Sequence, residues 1–311
     1  MKIVIVGLGG VGGVVGGRLA AGLAGSSEHE VVFWCRGKTL SAISAEGLHL
    51  LNGDGKTTVR PALATCGVEE VGRADLLIFA TKNYHLDAAA RELAPLADGA
   101  IVIPLLNGVS AASVLEKRLP ESDVLGGCIY ISAYVESPGT VRQVGTVQRA
   151  FFGKKNISEA DNRVRYGGVE QVLKKSGIGI TLTERIDVEI WSKFIFLSSF
   201  AGATTLFDRS IGGVLAGEES FETVKRMIGE AEALAAAKKV DLPENIAHLT
   251  LEKARAFPPS TKTSMQLDRE KGRQTELESL IGYVCEEGRA LGVPTPAYDA
   301  VYGGLKAVCK V

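Results

Sequence analysis

The apolar positions of this chain change their period once, near residue 184. Before it, short β-branched runs alternate with helical stretches; after it, almost everything repeats with helical spacing. Residues 3–6 are apolar at successive positions, as a strand covered on both faces requires, and a helix is expected from about residue 11. Residues 30–35 (EVVFWC) read as a second buried strand, followed by a helix around residues 40–46. Residues 47–51 and 57–59, separated by Asn-Gly-Asp-Gly, predict a hairpin. Two more buried strands are expected at residues 75–80 (DLLIFA) and 100–105 (AIVIPL), with helices at 85–93 and 110–118. Residues 124–135 and 139–152, around Ser137-Pro138-Gly139, predict antiparallel strands at the sheet edge. A helix at 158–175 and a strand near 178–182 complete this half. Helical periods at 191–206, 219–239, 244–255, 275–291 and 296–308 then predict an all-α region. The fold class is therefore α/β, with an N-terminal domain of alternating strands and helices over residues 1–184 and an all-α C-terminal domain over 185–311.

The first strand runs into Gly7-Leu8-Gly9-Gly10-Val11-Gly12, whose glycines have the G-x-G-x-x-G spacing. In that position Gly7 permits the tight turn, Gly9 lets the backbone approach a pyrophosphate, and Gly12 lets the new helix pack on the strand. The N–H groups and positive dipole end of the helix then favour the anion, so residues 1–184 are expected to form a Rossmann-type dinucleotide-binding domain. The further glycines Gly10, Gly13, Gly16 and Gly17 also fit close helix packing and nothing more.

Composition narrows the choice of partner. Lys and Arg number 35 against 36 Asp and Glu, a formal net charge of −1, which argues against a nucleic-acid or membrane surface. Five dispersed cysteines, at positions 35, 66, 128, 285 and 309, read as reduced thiols of a cytoplasmic protein. Neither they nor the four scattered histidines have metal-ligand spacing, so no metal site is expected. No run approaches the roughly 18 uninterrupted apolar residues of a membrane span, and the apolar N-terminus reads as a buried strand instead of a signal peptide.

Ligands of open α/β sheets bind beyond the carboxyl ends of the strands. Arg36 follows the second strand, where a cation accommodates the extra phosphate of NADP; a solvated loop arginine is the competing reading. Lys82 and Asn107 follow two further strands, offering a positive charge and a two-sided hydrogen-bonding amide, although each also fits ordinary loop polarity. In the helical half, Lys193 stands among bulky apolar residues in Trp-Ser-Lys-Phe, where lost hydration can lower an ammonium pKa and make it a candidate acid. The same pattern describes a snorkelling lysine. Glu276 opens a helix, where simple capping would also place a carboxylate.

Taken together, G-L-G-G-V-G, Arg36, Thr81-Lys82, Asn107-Gly108-Val109, W-S-K-F with Lys193, S-M-x-x-D from Ser264 and G-R-x-T-E ending at Glu276 resemble the ketopantoate reductase family (2-dehydropantoate 2-reductase) over nearly the full length. The resemblance implies NADPH-dependent reduction of ketopantoate to pantoate, as in pantothenate and coenzyme A biosynthesis, and is compatible with a homodimer. It implies Lys193 as general acid, Glu276 as partner to the substrate hydroxyl and the lysine, and Ser264 as a substrate contact. It further implies Asn107 as a contact to cofactor and substrate, and Lys82 on the cofactor side. The family helix usually continues K-L-x-x-N-x-x-x-N, and here Leu197 and Ala201 stand at the asparagine positions; Leu106 stands where glutamine commonly precedes Asn-Gly. Ser198 and Ser199 face different directions on a helix, so at most one is expected to substitute. These departures leave open a family reductase for a more apolar 2-oxo acid, and a dinucleotide-binding sensor without catalysis.

Overall fold

The computed structural model describes residues 1–53 and 55–310. The chain divides into two units, one of Met1–Leu106 with Ser110–Ile186, the other of Asn107–Val109 with the residues from Asp187 onward.

The first unit is built on a parallel sheet of β1 (Lys2–Val6), β2 (Glu30–Trp34), β5 (Leu63–Thr65), β6 (Leu76–Phe79), β7 (Ile101–Pro104) and β8 (Asp123–Val124), in the order β5-β2-β1-β6-β7-β8. The remaining strands of this unit are β3 (Leu48–Asn52), β4 (Gly55–Val59), β9 (Gly126–Ser137), β10 (Thr140–Gly153) and β11 (Ile180–Leu182), and its helices are α1 (Gly10–Gly22), α2 (Gly37–Glu46), α3 (Val68–Val71), α4 (Asn83–Leu93), α5 (Ala111–Arg118) and α6 (Glu159–Lys175). Successive strand residues serve opposite cores, because side chains alternate across a sheet. Ile3, Ile5, Phe33, Ile78 and Ile103 join one core with α1 and α6, while Val4, Val6, Trp34, Leu77 and Phe79 join another with α4 and α5.

The predicted hairpin forms, with β3 antiparallel to β4; Asp54 of its turn lies outside the described residues. β9 and β10 are antiparallel as expected, but they are not the edge of the parallel sheet. They belong to a second, mixed sheet with β10 at its centre: β9 lines one side of β10, and β3 and then β11 occupy its other side. Helix α1 lies between the two sheets, and its glycines make that possible. A Cβ at Gly16 would meet Phe33 at 2.9 Å and Ile5 at 3.2 Å on the parallel sheet, whereas one at Gly13 or Gly17 would press on Val141 at 2.4 Å or Leu50 at 2.5 Å on the mixed sheet. The surplus glycines are therefore packing residues. Since each glycine weakens a helix by about 1 kcal/mol relative to alanine, α1 owes its stability to this burial.

The second unit comprises α7 (Ile186–Leu206, its first residue belonging to the other unit), α8 (Ile211–Ala216), α9 (Glu218–Ala237), α10 (Ile246–Arg255), α11 (Ser264–Glu270), a π-helical turn (Glu278–Gly282), α12 (Tyr283–Leu291) and α13 (Pro296–Lys306). Apolar on nearly all sides, α7 sits at the centre, as such a helix must. Its Gly202 is where Met227 of α9, Ile281 of the π turn and Val301 of α13 converge, all within 3.1 Å of the position a Cβ would take. Short elements such as β5, α3, α8 and α11 escape the sequence pattern, being too brief to display a period.

Candidate active site

In the first unit the β1–α1 turn has the geometry that an anion-binding loop needs. Gly7 takes φ +93°, a left-handed conformation open to glycine at little cost, and its N–H donates to the Trp34 carbonyl at 3.0 Å. A Cβ on Gly12 would stand 1.8 Å from the Gly7 oxygen, so the helix start rests directly on the turn. Around Gly9 no atom lies within 4 Å of the Cβ position, so nothing in the turn fills the space that a bound pyrophosphate would take. Gly9 is also the N-cap of α1 and brings no side-chain cap; the first-turn N–H groups of a helix have no intrahelical acceptor. Leu8 is buried in the core and Val11 half-buried on the helix. Beside the turn, the Thr81 hydroxyl is a buried polar atom without a protein partner, its methyl 2.9 Å from the Gly7 Cβ position. The loop, the helix end and this hydroxyl fit a dinucleotide phosphate.

Arg36 follows β2 and is the N-cap of α2. Its guanidinium lies 4.5 Å from the ring centroid of Trp34 and pairs with the Glu92 carboxylate on α4. The arginine is thus not a bare loop cation. Trp34 could be read from its place two residues earlier on the same face of the strand; Glu92 carries no sequence signal. Lys82, half-buried, is the N-cap of α4.

In the second unit, three residues distant in sequence come together. Nζ of Lys193, on α7, donates to Oδ1 of Asn107 at 3.0 Å, and Nδ2 of Asn107 donates to Oε2 of Glu276 at 3.2 Å. The two ends of one amide thus face an ammonium donor and a carboxylate acceptor, which fixes the amide's orientation. Glu276 is buried, 4% exposed. It directly precedes the helical turn that opens α12, and its carbonyl accepts from the Leu280 N–H at 3.0 Å. The next residues form the π turn instead of the continuous α-helix that periodicity predicts, and such turns recur at functional sites. Thr275, just before it, is anchored to the Lys310 carbonyl through both N–H and hydroxyl. Ser264 is exposed at the first position of α11, behind the Thr263 cap.

The positions that depart from the family pattern are apolar in earnest. Ala201 is wholly buried, Leu197 is half-buried against the same helical core, and Leu106 is buried against α4 and α5. Neither adjacent serine replaces an amide. Ser198 donates to the Phe194 carbonyl at 2.8 Å, so it accepts from the Tyr298 hydroxyl at 2.7 Å, and Ser199 contacts that same hydroxyl at 3.3 Å. Burial raises the Tyr298 phenol far above its ordinary pKa, which keeps it protonated as the donor in this chain. Among the described residues no cluster of His, Cys, Asp and Glu could hold a metal, and no helix is long and apolar enough to cross a membrane.

Two family models match the chain: ketopantoate reductase PanE/ApbA over residues 3–156, and ketopantoate reductase PanE/ApbA C terminal over residues 185–308. The chain belongs to the ketopantoate reductase family. Within that family it is 30% identical to the 2-dehydropantoate 2-reductase of Halobacterium salinarum, with 95% of each chain covered. It is 29% identical to an uncharacterized oxidoreductase, YkpB, of Bacillus subtilis, with 98% of each covered. The crystal structure of 2-dehydropantoate 2-reductase from Porphyromonas gingivalis W83 superposes with a TM-score of 0.85 at 31% identity, covering 98% of this chain and 99% of that one. Like other ketopantoate reductase family members, this protein is an oxidoreductase with a Rossmann-type unit for a nicotinamide dinucleotide.

Proposed function

We propose that the protein reduces a 2-oxo acid to the 2-hydroxy acid with NADPH, ketopantoate to pantoate being the first reaction to test. The observation that carries this reading is the Lys193–Asn107–Glu276 array, which holds a proton donor and a carboxylate in fixed register. Bound reduced nicotinamide supplies a hydride. Lys193 protonates the ketone oxygen as negative charge develops there, a role for which a positioned ammonium suits both as acid and as electrostatic partner. Asn107 holds that ammonium in place, and Glu276 accepts a hydrogen bond from a substrate hydroxyl. Ser264, exposed at the start of α11, is assigned to the substrate. In the first unit the turn Gly7–Gly12 binds the pyrophosphate, Arg36 the adenosine 2′-phosphate, and Lys82 adds positive charge on the cofactor side. Asn107 also serves the nicotinamide end. Five thiols without a disulfide fit a cytoplasmic setting.

A second reading concerns the substrate. Leu197 and Ala201 offer no hydrogen bond, and a buried polar group left unpaired costs about 1–3 kcal/mol. A 2-oxo acid with an apolar side chain therefore matches this helix better than one bearing a hydroxyl. A sensor without turnover would have no use for an ammonium and a buried carboxylate joined through one amide.

The test is loss of reduced-nicotinamide absorbance with ketopantoate and a panel of 2-oxo acids of increasing apolar bulk. Turnover of at least one is expected, and the substrate preferred by kcat/KM separates the two readings. Tight dinucleotide binding with no turnover of any panel member would overturn the assignment.

A further inference from the structure

Arg36 is the group assigned above to the 2′-phosphate, and it is already engaged. The register of the parallel sheet sets Trp34 of β2 beside Val6 of β1, and the Gly7 N–H donates to the Trp34 carbonyl. Arg36 therefore emerges next to the glycine turn, where the adenosine ribose of a dinucleotide lies in this fold. Yet its guanidinium folds over the Trp34 ring, 4.5 Å from the centroid, and Nη2 pairs with Oε2 of Glu92. Both side chains remain partly open to solvent, at 56% and 37% exposure. The pair can therefore exchange one anion for another.

We propose that Glu92 is a specificity-determining residue, which restrains the preference for NADPH by competing with the adenosine 2′-phosphate for Arg36. The inference rests on the dinucleotide reading above. A phosphate monoester carries about −1.5 to −2 charges near neutral pH. To pair with it, the guanidinium must release the carboxylate or hold two anions side by side. A guanidinium recognises phosphate best through two parallel N–H bonds, and the Glu92 contact already occupies one of the nitrogens such a fork would use. NADH carries a hydroxyl in place of this phosphate, so it leaves the Arg36–Glu92 pair intact. The carboxylate thus penalises one cofactor and spares the other. Trp34 keeps the guanidinium at the mouth of the site in either state, through a cation–π contact that does not depend on which anion is bound.

The experiment is direct titration of NADPH and NADH, followed by dinucleotide fluorescence, on the parent protein, Glu92→Gln, Arg36→Ala and the double variant. Glu92→Gln is expected to tighten NADPH about 2- to 5-fold, the range of a partly exposed charge pair, and to leave NADH unchanged. The gain should shrink as salt is raised, since both members are solvent-accessible. In the Arg36→Ala background the same substitution is expected to change nothing. An unchanged NADPH-to-NADH ratio in Glu92→Gln, or an equal shift for both dinucleotides, overturns the role of Glu92 and leaves the reductase reading standing. Failure of the parent to bind either dinucleotide overturns both.

Discussion

Nζ of Lys193 reaches Oδ1 of Asn107 at 3.0 Å, across 86 positions of sequence. The asparagine passes the interaction on to Glu276 through the other end of its amide, so an ammonium and a carboxylate share one amide.

Removing the acid and removing the spacer should have different signatures. Lys193→Ala is expected to lower kcat by about 10²- to 10⁴-fold, the usual worth of a positioned proton donor, with NADPH binding unchanged. Asn107→Ala leaves the acid present but loosens it, and should cost about 10- to 100-fold in kcat/KM. Steady-state kinetics with parallel dinucleotide titrations distinguish the two. Equal loss of cofactor affinity in Lys193→Ala would remove the lysine from the chemical step.

The glycine turn separates binding from folding. The Cβ of Gly9→Ala enters open space and that of Gly12→Ala meets the Gly7 carbonyl at 1.8 Å. Gly9→Ala should unfold like the parent and bind NADPH at least about 10-fold more weakly, because its methyl takes the room of the pyrophosphate. Gly12→Ala should lose about 3 kcal/mol of stability. Denaturant melts and dinucleotide titrations of both variants check the contrast.

Leu197→Asn puts an amide one helical turn beyond Lys193, on the same face of α7. The substitution should raise kcat/KM for ketopantoate relative to an apolar 2-oxo acid by about 10-fold, the worth of one hydrogen bond of about 1.4 kcal/mol. A ratio that moves the other way would place the substrate's polar end elsewhere.

Glu170 gives stability a dependence on acid. Burial opposes its charge, but the hydrogen bonds from Lys174 at 2.7 Å and from the Leu182 N–H at 3.0 Å prevail, so the carboxyl sits below its ordinary pKa. With the folded value lowered, the unfolded chain binds the proton more tightly. The contribution is full above the ordinary carboxylate range and is lost as pH falls through the folded value. Glu170→Gln should therefore be less stable than the parent at about pH 7, with the deficit narrowing as pH falls below the ordinary carboxylate range. Thermal melts across that interval measure it.

Thiol reactivity should be confined to one site. Cys66 is exposed while the other four cysteines are buried, and burial pushes the Cys35 and Cys285 thiols up to about 12. Ellman's reagent should titrate a single fast thiol in the native protein, lost in Cys66→Ser, and the remaining four only on unfolding.

Much of this was written in local pattern. Continuous apolar runs identify β1, β2, β6 and β7 because strands buried on both faces need no polar alternation. The spacing of Gly7, Gly9 and Gly12 reads as an anion-binding turn because the first needs a left-handed φ, the second leaves room for an anion and the third lies against the Gly7 carbonyl. Lys193, Glu276 and Asn107 were each legible as candidates, from an apolar setting, a helix start and a strand end.

What the sequence by itself determined about this protein is its list of parts: the dinucleotide turn, an α/β half followed by a helical half, and a short set of residues able to do chemistry. Only the tertiary structure decided how those parts are used. It placed β9 and β10 in a second sheet with β10 at its centre, since a glycine face on α1 lets that sheet approach and nothing in a strand's own pattern names its partner. It made Asn107 the spacer between Lys193 and Glu276, and it gave Arg36 a counter-ion in Glu92. Hydrogen bonds and ion pairs depend on distance in space, and chain separations as long as those joining these groups leave no periodic trace from which such a contact can be read.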